Sequence, residues 1–289
     1  RGGVSVSRAL RALRARDAHE VQDAVAAALA GDGPALLPIA AEAPDPAVPA
    51  TVGDDVALVV HTSGSTGDSK LVALSADAVR ASSALAAERL GGHGQWLLAL
   101  PAHYIAGLNV LARSLAAGTM LAVVPPGPFE ATEFTKAAAT LSHERTFTSL
   151  VPAQLGRLLD DPAASAALRS FTAVLVGGQA TPRPLLERAR CAGVRVVRTY
   201  GSSETSGGCV YDGVPLRGVA VEIVDGEVLI AGPTLALGYL DEEATRASFA
   251  ERDGVRWFRT GDTGGFADGT LTVTGRVDDQ IVSGGVNVS

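Results

Sequence analysis

The sequence predicts an α/β protein: mostly parallel sheets covered by helices, plus a small β-rich, barrel-like subdomain toward the C-terminus. Three observations carry this. Between residues 56 and 199, short apolar runs alternate with segments of helical periodicity, the pattern of strands joined by crossover helices. Polar segments rich in Gly, Ser and Thr follow directly on two of those runs, and in such sheets ligands bind beyond the strand ends. After about residue 206 the helical spacing gives way to short β-type runs separated by Gly and Asp turns.

Taken in order, residues 7–30 are expected to form an amphipathic helix. Ser7 would cap it, and Leu10, Leu13, Val21, Val25 and Leu29 fall near helical spacing. Residues 31–49 hold five prolines and little periodicity, so a linker or surface arm is expected. Strands are expected at 56–61, 71–74, 96–100, 120–124, 146–150, 172–176 and 194–199. Helices are expected at 76–90, 106–117, 130–141, 152–160 and 182–192, the first capped by Ser75 and ended by Gly91-Gly92. Beyond them, 219–224, 227–231, 256–259 and 270–274 read as short strands with turns at Asp225-Gly226 and Asp268-Gly269.

Composition narrows the class. The 289 residues are 47% hydrophobic and 19% charged, enough apolar material for a sizeable core. The formal net charge of −7 argues against a nucleic-acid partner, which needs a basic surface. Cys191 and Cys209 are too few for a disulfide framework or zinc site, and the five His show no metal-ligand spacing. No apolar run approaches the roughly 20 residues of a membrane span. Asp17, His19 and Glu20 interrupt any signal-like core after the N-terminal arginines, so a cytoplasmic protein is expected.

Three polar segments carry the chemistry. His61-Thr-Ser-Gly-Ser-Thr-Gly-Asp-Ser-Lys70 follows the strand at 56–60. Its glycines let backbone N–H groups approach a ligand, and its hydroxyls and ammonium suit phosphate oxygens. It is not a Walker A loop, because Ser69 precedes Lys70 and Leu71 follows; a polar turn between strands fits the same spacing. Arginine supplies 22 of the 24 basic residues, yet this segment keeps a lysine, the compact charge that phosphate neutralisation uses. In Arg198-Thr-Tyr-Gly-Ser-Ser-Glu-Thr205, Tyr200 offers a flat face for a purine, Glu204 a carboxylate for Mg²⁺ and Thr205 a hydroxyl. A polar strand exit with a solvated Glu is the plainer alternative. In Trp257-Phe-Arg-Thr-Gly-Asp262, the Asp can accept from a ribose diol, and Arg276 can reach a phosphate or ribose oxygen; each is also an ordinary turn residue.

Together, Thr-Ser-Gly-Ser-Thr-Gly-x-x-Lys, Tyr-Gly-x-x-Glu-Thr, Arg-Thr-Gly-Asp and Gly-Arg-x-Asp-Asp-x-Ile, in this order, strongly resemble the acyl-adenylate-forming superfamily of acyl- and aryl-CoA ligases, adenylation domains and luciferases. The resemblance covers roughly residues 55–289. It implies activation of a carboxylic acid with ATP and Mg²⁺ to acyl-AMP and pyrophosphate, then transfer to CoA. It implies that Ser63, Ser65, Thr66, Gly67 and Lys70 hold the β- and γ-phosphates. Gly177, Gly178, Gln179 and Tyr200 would flank the adenine, with Gly201 near the acyl group. Glu204 would bind Mg²⁺, Thr205 the α-phosphate, Asp262 the ribose and Arg276 the nucleotide; Lys70, Thr205, Glu204 and Arg276 would be the catalytic set. Asp278 would be a hinge. The implied organisation is 1–205 as the α/β part of the large domain, 206–277 as the β-rich subdomain and 278–289 as hinge and start of a small C-terminal domain. That small domain, which carries the family's catalytic Lys, is not seen in the sequence, so nucleotide binding with poor adenylation is expected.

At Pro101-Ala-His-Tyr-Ile-Ala-Gly107 the family has an aromatic-His pair before the Gly, whereas here the order is His103-Tyr104. Either lines the acyl pocket, or His103 is a satisfied core histidine. This segment, 148–155 and 200–212 resemble the actinobacterial o-succinylbenzoate–CoA ligases of menaquinone biosynthesis. Such a dicarboxylate needs a polar or cationic element in its pocket. Ser149, Gln154, Ser202 and Ser203 are candidates, and no cationic partner is evident. Another aryl- or acyl-CoA ligase, an amino-acid adenylation domain and a non-catalytic nucleotide-binding module are the alternatives, and a homodimer is left open.

Overall fold

A computed structural model of the chain describes residues 7–62, 70–277, 281–283 and 286–288. Among them are three larger sheets. The first runs in the order Gly238–Tyr239, Leu71–Ser75, Val56–His61, Ala35–Ile39, Ser7–Arg14, Thr51–Gly53. It is mixed, with parallel pairing only among Val56–His61, Ala35–Ile39 and Ser7–Arg14. The second has the order Val214–Pro215, Gly207–Tyr211, Val196–Ser202, Ala173–Val176, Thr146–Leu150, Gln95–Leu98, Ala122–Val123, and is parallel from Val196–Ser202 onward. The third is antiparallel: Ala220–Val224, Glu227–Ala231, Val255–Ala267 and Phe249–Arg252, with Thr270–Arg276 also paired to Val255–Ala267.

Helices fill the layers. Ala18–Ala30, Ala76–Leu90 and Ile105–Ala117 lie between the first two sheets. Ala131–Ala138, Pro152–Asp160, Pro162–Arg169 and Arg183–Cys191 cover the outer face of the second, over a core built on Phe134, Phe147's neighbour strands and Phe171. The main core is continuous from Val25 and Leu58 through Leu111 and Tyr211 to Ile230 and Phe258, so all three sheets share one apolar interior. Ser75 caps Ala76–Leu90 as expected: its hydroxyl accepts from Ala78 N at 3.1 Å, and Gly91 closes the helix in the left-handed region.

Several expectations are corrected. Residues 7–30 are not one helix. Ser7–Arg14 is a strand, and the helix starts at Ala18 with Asp17 as its cap. The Leu10/Leu13 spacing imitates a helical face, but pairing with Ala35–Ile39 and Thr51–Gly53 overrides it. The proline-rich 31–49 is not simply a linker, because Ala35–Ile39 is a fully buried strand. Pro38 lies beyond the pair Leu36–Leu58, where the neighbouring strand no longer demands its missing donor. Gly207–Tyr211 extends the second sheet, so the separate β-rich sheet begins at Ala220 rather than 206. The helices Pro162–Arg169 and Glu242–Ser248 had no counterpart in the sequence reading.

Candidate active site

Five of the singled-out residues meet in two short chains of contacts joined through one strand and its exit turn. Lys70 is the first described residue after segment 63–69, and its carbonyl accepts from Thr62 N at 2.9 Å. The Lys70 ammonium sits 5.0 Å from the ring centre of Tyr239. The Tyr239 hydroxyl donates to Glu204 Oε1 at 2.7 Å. Glu204 lies on the short turn Ser203–Thr205 that ends the strand Val196–Ser202, which carries Tyr200. The Tyr200 hydroxyl donates to Asp262 Oδ2 at 2.7 Å, and Arg276 donates to Asp262 Oδ1 at 3.1 Å and to the Thr260 carbonyl at 3.2 Å. Burial and the neighbouring Asp262 carboxylate push the Tyr200 phenol well above its ordinary pKa, so it stays a donor. Ser63, Ser65, Thr66, Gly67 and Asp278 lie outside the described residues.

The strand exit is shaped by glycines. A bulge falls between Tyr200 and Gly201, and a side chain at Gly201 would strike the Gly207 carbonyl. Gly207, at φ +90°, leaves room for the Asn109 amide, whose Nδ2 donates to the Ser206 carbonyl at 2.9 Å. Gly177 lies so close to Thr199 that a Cβ there would meet its hydroxyl. Behind the turn, Cys209 is wholly buried and its thiol is pushed up to about 12, so it offers no thiolate at neutral pH.

Beside these contacts lies a cleft of about 110 Å³. Ser149, Gly177, Gly178, Gly201, Asn109 and Arg113 are among its lining residues. Arg113 is 5% exposed, stacks 5.1 Å from the Trp96 ring and donates to the Tyr211 hydroxyl at 3.1 Å, while its Nε has no partner. Arg113 is thus a buried guanidinium with an open donor lining the cleft, a residue the sequence reading did not single out. The signal was present: Asn109 and Arg113 stand four apart on the mostly apolar Ile105–Ala117 and so share a face. Tyr239 was also missed, because its partner Glu204 is 35 residues away.

Other candidates fall elsewhere. Gln154 is not a cleft residue: its amide accepts from Val151 N at 3.1 Å and donates to the Ala99 carbonyl at 2.8 Å, which fixes a helix start. The Thr205 hydroxyl is consumed in its own turn, accepting from Ser202 N at 2.9 Å and facing the Gly207 carbonyl at 2.8 Å, and the residue is 1% exposed. Thr205 is a turn-former here rather than an exposed phosphate donor. Ser203 is buried, the Ser202 hydroxyl is buried without a partner, and Gln179 is exposed. His103 and Tyr104 stack at 4.2 Å at the entry to Ile105–Ala117, outside the cleft wall, which takes Leu100, Ile105 and Ala106 from this segment. Burial lowers the His103 pKa, and the charge of His61 lowers it further.

The donor set fits a metal–nucleotide complex. Among the described residues no group of three or more His, Cys, Asp or Glu could cage a cation, and Glu204 is the one buried carboxylate. Mg²⁺ characteristically takes one or two carboxylates and completes its shell with substrate phosphates and water.

The chain belongs to the AMP-binding enzyme family, whose profile matches residues 4–240. Within it, the chain is 50% identical over 242 residues to a probable 2-succinylbenzoate–CoA ligase of Mycobacterium tuberculosis H37Rv, covering 82% of this chain and 62% of that protein. It is 35% identical over 237 residues to the 2-succinylbenzoate–CoA ligase of Escherichia coli K12, covering 78% and 49%. The chain therefore spans 62% and 49% of the lengths of these two relatives. Among solved structures it superposes on wild-type E. coli MenE with a bound m-phenylether-linked analogue of OSB-AMS, with TM-score 0.78, 27% identity and coverage of 99% and 71%. It also matches Bacillus subtilis MenE in complex with ATP and magnesium ion, with TM-score 0.72, 28% identity and coverage of 94% and 65%. Among the described residues no helix is long and apolar enough to cross a membrane.

Proposed function

We propose that this chain carries the nucleotide- and acid-binding part of an AMP-forming acid–thiol ligase whose acid is o-succinylbenzoate, acting in the cytoplasm in menaquinone biosynthesis. The observation that supports it most is a pair of contact chains, Lys70–Tyr239–Glu204 and Tyr200–Asp262–Arg276, brought together by the strand Val196–Ser202 and its exit turn, which carry Tyr200 and Glu204. In the first step an oxygen of the acid's carboxylate bonds to the α-phosphorus, and the bond to the β-phosphate bridge breaks, releasing pyrophosphate. In the second the CoA thiol loses its proton and attacks the acyl carbon, and AMP leaves.

This chain's residues supply position and charge rather than a nucleophile. Lys70 neutralises the outer phosphates, Asp262 accepts from the ribose hydroxyls, and Arg276 orients Asp262. Glu204 would hold Mg²⁺, which when bound would offset phosphate charge. Gly177 and Gly201 let the adenylate lie against backbone. The cleft beside them takes the aromatic acid, with Arg113 facing the second carboxylate.

The test is ATP–pyrophosphate exchange by the full-length protein, with the family's small C-terminal domain in place, screened over o-succinylbenzoate, benzoate, aliphatic acids and amino acids. Exchange with o-succinylbenzoate well above the others is expected. Preference for another acid moves the reading to a different ligase or an adenylation domain; nucleotide binding without exchange for any acid leaves a binding module. Sedimentation with and without nucleotide decides whether the homodimer left open by the sequence forms.

A further inference from the structure

We infer that Tyr239 is a positioning residue of the nucleotide site: its hydroxyl holds the Glu204 carboxylate and its ring face holds the Lys70 ammonium, so one side chain sets the spacing of the metal-facing anion and the phosphate-facing cation. This rests on the nucleotide reading above. Two contacts of different kinds converge on the residue, a hydrogen bond of 2.7 Å and a cation over the ring at 5.0 Å.

The backbone makes Tyr239 a fixed point. Tyr239 N donates to Thr245 Oγ1 at 2.8 Å, and Gly238–Tyr239 pairs with Val72 and Ala73, two and three residues past Lys70. Leu240 N donates to the Leu71 carbonyl and Ala236 N to the Glu204 carbonyl. From below, Arg256 stacks 4.2 Å from the Phe249 ring and donates to the carbonyls of Ala236 and Leu237 at 2.6 and 2.7 Å. The segment 236–240 is thus stitched to both Glu204 and the strand that follows Lys70. The carboxylate is thus held through Oε1 on the same side chain whose ring faces the ammonium.

The test separates the hydroxyl from the ring. ATP affinity of the chain is measured by calorimetry with Mg²⁺ and with EDTA, for the native protein and for Tyr239→Phe, Tyr239→Leu and Glu204→Gln, each first shown to be folded by circular dichroism. Tyr239→Phe keeps the ring and is expected to lose about tenfold of the affinity gained from Mg²⁺, the scale of a hydrogen bond to a charged group, with affinity in EDTA changed less than about twofold. Tyr239→Leu is expected to weaken binding in EDTA as well, because Lys70 loses its platform. Glu204→Gln is expected to abolish the Mg²⁺ gain. Equal losses in both media for Tyr239→Phe mark a merely structural tyrosine and overturn the inference, as does an intact Mg²⁺ gain in Tyr239→Phe when Glu204→Gln has lost it. If Glu204→Gln keeps its full Mg²⁺ gain, the metal-facing role of Glu204 is wrong and the inference falls with it.

Discussion

A guanidinium at 5% exposure is costly to bury, and Arg113 is only partly compensated by the Trp96 face and the Tyr211 hydroxyl. Arg113→Met is therefore expected to leave the melting temperature unchanged or higher, yet to raise KM for o-succinylbenzoate at least about tenfold, while benzoate changes about twofold. A parallel loss for both acids would place Arg113 outside substrate recognition. The two histidines give a pH effect. Burial holds His61 and His103 below the ordinary imidazole value, so the unfolded chain takes up protons first as pH falls below about 6.5. Their contribution is complete above that pH and is lost as pH falls through the folded values. Between about pH 7 and pH 5, a His61→Gln/His103→Gln chain should lose less melting temperature than the native one. Carboxylate titration is common to both, so identical slopes would reject the pair.

The turn after Val196–Ser202 shows how an element holds the site. Gly207 adopts φ +90°, and a side chain there would displace the Asn109 amide that clasps Ser206. Gly207→Ala should cost on the order of 2 kcal/mol through backbone strain and the lost clasp, read as a lower urea midpoint with unchanged slope. Some elements were legible because their signals are local. Ala76–Leu90 carries its own Ser cap and Gly stop, and the strand Val56–His61 is a short apolar run between polar ends. Ser7–Arg14 was not, because it is a strand only by virtue of partners about 25 and 40 residues downstream. Arg8 shows the same logic: its guanidinium donates to the carbonyls of Gly33, Ala28 and Val56, three acceptors that no local pattern announces.

At the scale of the whole molecule, one interior serves three sheets. Phe147 is fully buried at its centre, 5.1 Å from the Trp96 ring. Phe147→Ala should cost about 3–5 kcal/mol and lower a single unfolding transition; two separate transitions would mean that the sheets melt independently. The site itself was half legible. Lys70, Tyr200, Glu204 and Asp262 announce themselves in short polar motifs, whereas Tyr239 and Arg113 act through partners 35 and 98 residues away. The bond between Tyr200 and Asp262 joins residues 62 apart on two different sheets. A nucleotide grasped by both would weld those slabs together. Deuterium uptake at 196–202 and 260–276 should then slow in step when AMP is added, and Tyr200→Phe should let the two stretches breathe separately.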